Sequence, residues 1–211
     1  TNKEWAERLG IPQSTAITCV KPSGTVSQLV DSASGIHGRY APYYIRRVRA
    51  DMRDPLCKVL EDAGVPCEMD NFSPSTKVFS FPKQAPEGAV FASEQSGMEQ
   101  LELWTKYQEH WCEHKPSVTV SVKDDEWMEV GAFVFKHFDE MSGVSFLPHT
   151  DHTYQQAPYQ DCTEAVYNDF SSKFRHIDWD KFTYYEKEDN TKSSQTFACS
   201  GDSCEIVDIG A

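Results

Sequence analysis

The stretch KPSGTVSQLVDSASGIHGRY, Lys21 to Tyr40, decides how the rest of the chain is read. A β-branched apolar run, STAITCVKP (14–22), leads into it between Pro12 and Pro22 and reads as a buried strand. Pro22 stops the strand. GTVSQLVDSAS (24–34) then reads as a helix whose first turn is Gly24 to Ser27 and whose end is Gly35. At such a junction the first backbone N–H groups have no partner within the helix, and the helix dipole adds positive charge to them. Ser23, Thr25 and Ser27 offer hydroxyls, and Gly24 lets the backbone come close to a ligand. The outline is that of an anion site. The dipole contributes only about 0.3–2 kcal/mol, so several donors must act together on a multiply charged group. Ordinary helix caps use the same residues with no ligand. The Gly-Lys-Ser/Thr ending of a Walker loop is absent, and one glycine does not make a dinucleotide fingerprint.

Outward from this stretch, the 211 residues suffice for one large domain or two small ones. With 39% hydrophobic and 25% charged residues the composition is that of a globular chain. A net charge of −13 argues against a general binder of nucleic-acid polymers or anionic membranes, though one local positive pocket would still hold a nucleotide. No apolar run approaches the length of a membrane span, and there is no signal peptide. Seven scattered cysteines favour a reduced, cytoplasmic protein over a secreted disulfide framework. The first residue is Thr rather than Met, which reads as a piece of a longer protein.

Along the chain, NKEWAERLG (2–10) reads as a helix closed by Gly10, and YAPYYIRRVR (40–49) as extended or irregular. RDPLCKVLEDAGVP (53–66) reads as a helix with Asp54 as N-cap, Pro55 at its first position and Gly64 closing it. TKVFSFP (76–82), PSVTVSV (116–122) and VSFLP (144–148) read as strands. SGMEQLELWTKYQEHWCEH (96–114) and DDEWMEVGAFVFKHFDEMSG (124–143) read as helices, the second ending at Gly143. Helices alternating with strands imply a parallel α/β sheet or barrel. From about Gln155 the pattern changes, and 186–196 has a linker's composition.

The chain ends ACSGDSCEIVDIGA. Cys199 and Cys204 would point apart on a helix, but Ser-Gly-Asp-Ser between them is a good turn, so the spacing permits a reversible disulfide. Two unrelated tail thiols would look the same. His110 and His114 share a helix face with Cys112 between them, and His149 and His152 lie close together; surface or packing roles suit them better than a metal. Cys19 and Cys57 read as small core hydrophobes, while Cys67 and Cys162 are left undecided. Arg46, Arg47 and Arg49 either pair with carboxylates or line an anionic pocket.

PSGTVSQLVDSASGIH closely resembles the phosphate-binding segment of ribonucleotide reductase large subunits. KPSVTVSVKDDEW (115–127), MSGVSFLPHTDHTYQQAPYQDCTE (141–164) and the terminal Cys-x4-Cys are similar to the monomeric, adenosylcobalamin-dependent ribonucleoside-triphosphate reductases. The resemblance implies the C-terminal part of a ten-stranded α/β barrel over 1–154, a peripheral extension over 155–185 and a flexible redox tail over 186–211. It implies that Ser23, Gly24, Thr25, Val26 and Ser27 bind the substrate's phosphates, mostly through backbone N–H. Cys199 and Cys204 would be the shuttle pair that re-reduces the active-site disulfide and is itself reduced by thioredoxin. The radical-carrying cysteine is expected upstream, in a barrel half that this sequence lacks. The cofactor implied is adenosylcobalamin in its base-on mode, since no Asp-x-His-x-x-Gly is present. The competing expectation is a stand-alone α/β phosphate- or nucleotide-binding module without redox chemistry.

Overall fold

A computed structural model describes residues 1–150, 154–173, 177–186, 197–200 and 203–206. The elements in order are α1 (Asn2–Leu9), α2 (Val26–Leu29), β1 (Tyr43–Asp51), α3 (Pro55–Asp62), β2 (Cys67–Met69), β3 (Thr76–Gln84), α4 (Gly97–His110), β4 (Thr119–Val122), α5 (Trp127–His137), β5 (Ser145–Pro148), β6 (Tyr159–Asp161), α6 (Glu164–Lys173), α7 (Phe182–Tyr185), β7 (Phe197–Ser200) and β8 (Ser203–Ile206). They divide into two compact units, Thr1–Pro42 with Ala85–His152, and Tyr43–Gln84 with Thr153–Ala211.

The first unit is built on the parallel pair β4–β5, in which Thr119 faces Ser145 and Val122 faces Pro148. Val120 and Val122 alternate inward from β4 and meet Leu101 and Trp104 of α4, Val130 of α5 and Ile36. Burying each of these large side chains contributes about 1.5–3 kcal/mol. Trp104 is wholly buried because its indole N–H finds the Pro116 carbonyl at 2.9 Å. A reciprocal cap starts α4: the Ser96 hydroxyl accepts from Glu99 N at 3.1 Å, and the Glu99 carboxylate accepts from Ser96 N at 2.8 Å. Those hydrogen bonds, the backbone one foremost, hold the Glu99 carboxyl below its ordinary range. At Gly97 a Cβ would lie 3.0 Å from Val130 Cγ2, so glycine lets α4 and α5 approach. α1 ends as expected, with Gly10 at φ 65.

Three expectations for this unit are corrected. STAITCVKP forms no strand and Cys19 is exposed rather than in the core. The segment is held by bonds to the chain before β4, His114 N to Thr18 O at 3.0 Å and Ser117 N to Val20 O at 2.9 Å. Among the described residues no ladder pairs with it. The helix after Pro22 is only the four-residue α2 and does not run to Gly35. Asp31 takes φ 51 two residues after its end, and the Arg39 guanidinium holds that carboxylate at 2.8 Å. α5 stops at His137, short of Gly143.

In the second unit the sheet order is β2-β3-β1-β6, all antiparallel, which corrects the expectation of a parallel sheet throughout. β1 and β3 pair over their full nine residues, from Tyr43 opposite Gln84 to Asp51 opposite Thr76. The helix between them is followed by β2, which joins the edge of β3, so it is not a crossover between parallel neighbours. α3 itself forms as read: Asp54 Oδ1 accepts from Leu56 N at 2.9 Å, Pro55 opens the helix and Gly64 follows it at φ 81. Its apolar face, Cys57 and Leu60, packs with Ala63, Val65 and Phe79. β7 and β8 form an antiparallel hairpin.

The architecture is therefore mixed α/β, and among the described residues no barrel closes. No described helix is long and apolar enough to cross a membrane. The linker-like residues 187–196, turn residues 201–202 and His152 lie outside the described residues.

Candidate functional site

The segment from Ser23 to Ser27 is a loop fastened from within. Ser34 Oγ accepts from Ser23 N at 2.8 Å and donates to Ser23 O at 3.0 Å. Ser23 Oγ accepts from Ser27 N at 2.8 Å, while Ser27 Oγ donates back to Ser23 O, also at 2.8 Å. Ser27 is buried as a result, and Gly24, Thr25 and Val26 between them are exposed. Among the described residues no hydrogen-bond partner is recorded for the N–H groups of these three. Two of the five expected donor N–H groups are thus engaged internally, and three successive ones face solvent. A helix of four residues has little macrodipole, so the donors available to an anion here are the N–H groups themselves and the Thr25 hydroxyl.

The return segment holds the loop in place. Gly35 has φ 62, and a Cβ there would lie 3.0 Å from Lys21 O and 3.3 Å from Pro22 N. Its glycine serves a left-handed turn packed on the entry to the loop. Next, Gly38 passes so close to the backbone of Phe91 and Ala92 that a Cβ would come within 2.7 Å of Ala92 N. His37 bonds Ser34 O through Nδ1 at 2.8 Å and accepts from Thr119 N through Nε2 at 3.1 Å. Ser34 and His37 lie in the quoted stretch but were given no role on sequence grounds. Residue type and spacing do not reveal a side chain that bonds back across eleven residues, or across eighty-two.

Cys199 and Cys204 are register partners in the β7–β8 hairpin. Bridging requires the two residues to be opposed, as they are in this ladder, while the two residues at its end, 201–202, lie outside the described residues. Directly opposed residues of an antiparallel ladder have Cα atoms about 4.5–5.5 Å apart. Disulfides span roughly 4.4–6.8 Å.

The remaining constellations are structural. Among the described residues no group of three or more His, Cys, Asp or Glu could hold a metal ion. Arg49 Nε pairs with the buried Asp70 carboxylate at 2.8 Å. Arg46 lies over the Tyr159 ring at 4.5 Å, and Arg47 donates to Ala157 O and Gln160 Oε1. The arginines therefore fasten the 156–160 segment to β1. Arg47 also lines a polar cleft with Glu68, Asn71, Tyr154 and Gln155. Cys57 is a core thiol as expected, and burial pushes its pKa up to about 11. Burial likewise raises the thiols of Cys67 and Cys162, so neither is an activated nucleophile.

The fold resembles a solved B12-dependent (class II) ribonucleotide reductase, with a TM-score of 0.76 and 27% identity over 90% of this chain and 27% of that one. A probable adenosylcobalamin-dependent ribonucleoside-triphosphate reductase of Dictyostelium discoideum is 31% identical over 98% of this chain and 27% of its own length. The adenosylcobalamin-dependent ribonucleoside-triphosphate reductase of Levilactobacillus brevis is 31% identical over 79% and 23%, and that of Lactobacillus leichmannii 30% over 79% and 23%. No family model matches. Over nearly its whole length the chain is similar to the C-terminal part of adenosylcobalamin-dependent ribonucleoside-triphosphate reductases. It spans about a quarter of the length of these relatives.

Proposed function

We propose that this chain is the C-terminal part of a cytoplasmic enzyme that reduces ribonucleoside triphosphates to 2′-deoxyribonucleoside triphosphates. It supplies the loop that holds the substrate's phosphates and the thiol pair that renews the active site. The observation that carries this reading is the loop itself. Ser23 and Ser27 brace it, and three consecutive exposed N–H groups, of Gly24, Thr25 and Val26, have no recorded partner. Successive free amides form a nest for a polyanion, and a triphosphate can occupy several at once. Each charge-assisted bond of this kind contributes about 1.5–3 kcal/mol.

Reduction at the 2′ carbon needs two electrons. Two active-site thiols, on the part of the enzyme this chain lacks, give them up and become a disulfide as the hydroxyl leaves as water. One tail thiolate of the Cys199–Cys204 pair then attacks that disulfide and the second displaces the mixed disulfide, which returns two active-site thiols and leaves Cys199–Cys204 oxidised. Thioredoxin reduces the tail in turn. Adenosylcobalamin, when bound, supplies the radical that starts the reaction.

The remainder of the enzyme is the expected partner of the first unit. A two-stranded parallel pair is not a sheet that stands alone. Met128 and Phe135 of α5 and Phe138 just beyond its end are exposed, at 87%, 87% and 71%. In this reading residues 1–154 include closing elements of a barrel, 155–185 are peripheral, and 186–211 carry the Cys199–Cys204 pair. Replacing Thr25 by Pro removes one donor. In the complete reductase it should raise the substrate KM and leave tail oxidation and reduction intact; an unchanged KM removes the loop from the substrate site.

A further inference from the structure

We infer that His37 is a positioning residue that ties the phosphate loop to β4 through a single imidazole tautomer. This inference rests on the reading of 23–27 as the phosphate loop. The Ser34 carbonyl can only accept, so His37 Nδ1, 2.8 Å away, carries the proton. The Thr119 N–H can only donate, so His37 Nε2, at 3.1 Å, presents its lone pair. The ring is neutral, with the proton on Nδ1. Thr119 is the first residue of β4 and is fixed by its pairing with Ser145. Ser34, at the other end of the link, grips both the N–H and the carbonyl of Ser23. A continuous chain of hydrogen bonds therefore runs from the parallel strand pair through His37 and Ser34 to the first residue of the loop. Ser23 then orders Ser27 on the far side of the three exposed donors.

The consequence is preorganisation. Three amides held in place before the ligand arrives bind it without a fresh cost of ordering the loop. Gly35 and the Arg39–Asp31 pair constrain the return segment, but neither bonds Ser23. His37 touches no substrate in this arrangement, so its loss should act on binding rather than on the chemical step.

The test is steady-state kinetics of the complete reductase carrying this segment, with a ribonucleoside triphosphate as substrate. His37→Phe should raise KM about tenfold, equivalent to about 1.4 kcal/mol, with kcat little changed. His37→Asn can keep only the bond to Ser34 and His37→Gln only the bond to Thr119, so each breaks the tie between the loop and β4 and should leave KM raised. Thr25→Pro is measured alongside. If Thr25→Pro raises KM and His37→Phe does not, the His37 link is wrong and the phosphate loop stands. If neither raises KM, the phosphate reading itself fails. If His37→Phe does not fold, the Asn and Gln variants decide: a raised KM in both supports the inference, and an unchanged KM in either overturns it.

Discussion

Gly24 and Gly35 flank the same loop, yet the fold requires glycine at only one of them, and that difference yields a sharp prediction. At Gly24 a Cβ would meet no atom within 4 Å, and φ lies outside the left-handed region. Gly24→Ala should therefore leave the fold intact, and by restricting the unfolded chain it should stabilise the protein by about 0.4–1 kcal/mol. If phosphate oxygens approach this backbone, the added methyl group occupies their space and one charge-assisted bond is lost. Such a bond contributes about 1.5–3 kcal/mol, so KM should rise roughly tenfold to a hundredfold. At Gly35 the situation is reversed. A left-handed alanine costs about 1–2 kcal/mol, and its Cβ would press on the Lys21 carbonyl. Gly35→Ala should lower the unfolding temperature and raise KM together. The assay is a thermal melt and a substrate titration of each variant in the complete reductase. A Gly24→Ala enzyme with normal KM would refute the reasoning, because the fold gives that glycine no other purpose.

Cys199→Ser or Cys204→Ser should abolish multiple turnovers supported by thioredoxin and spare turnover driven by dithiothreitol; full thioredoxin-supported activity in either variant makes the pair incidental. Trp104→Phe strands the Pro116 carbonyl and opens a void in the first core, so denaturant titration should show a loss of about 2–4 kcal/mol. Burial raises the Cys57 thiol from 9.0 to about 11, so the unfolded chain sheds this proton first as pH rises. Stability from this group is full below pH 9.0 and falls toward about 11, and Cys57→Ala should flatten that fall in pH-dependent melts. The 211-residue chain expressed alone should melt without cooperativity or self-associate, and co-expression with the remaining part of the enzyme should order it. A monomeric chain that melts cooperatively by circular dichroism favours the stand-alone module.

Local signals were legible in the sequence wherever a few consecutive residues determine the outcome. The Asp54-Pro55 start of α3 and the Gly10 stop of α1 both form as read. Each depends on bonds within one turn, so no distant partner can override it. Strand direction was not legible. TKVFSFP was correctly a strand, but nothing in its seven residues says whether its neighbour runs parallel or antiparallel. That choice is made by the connection, and β2 intervenes where a crossover was expected. STAITCVKP fails for a related reason. Its β-branched residues favour extended backbone, but a strand needs a ladder, and no described strand offers one.

The candidate site divides along the same line. Gly24, Thr25 and Val26 could be named from sequence because an anion loop announces itself by small residues and free amides. The residues that aim it could not, since Ser34 and His37 act by returning to the loop and to β4. Their geometry also changes the physical account of the site. A longer helix would have polarised the loop from behind; α2, with four residues, cannot. In the proposed reading, affinity for a polyanion must then come from the three amides acting together, and their arrangement requires that Ser23 and Ser27 not move apart. Their mutual bonds at 2.8 Å make them one unit, and Ser34 holds that unit by the Ser23 backbone. Ser34→Ala would leave every exposed donor in place and remove only the grip on Ser23. It is the substitution that separates the presence of donors from their arrangement.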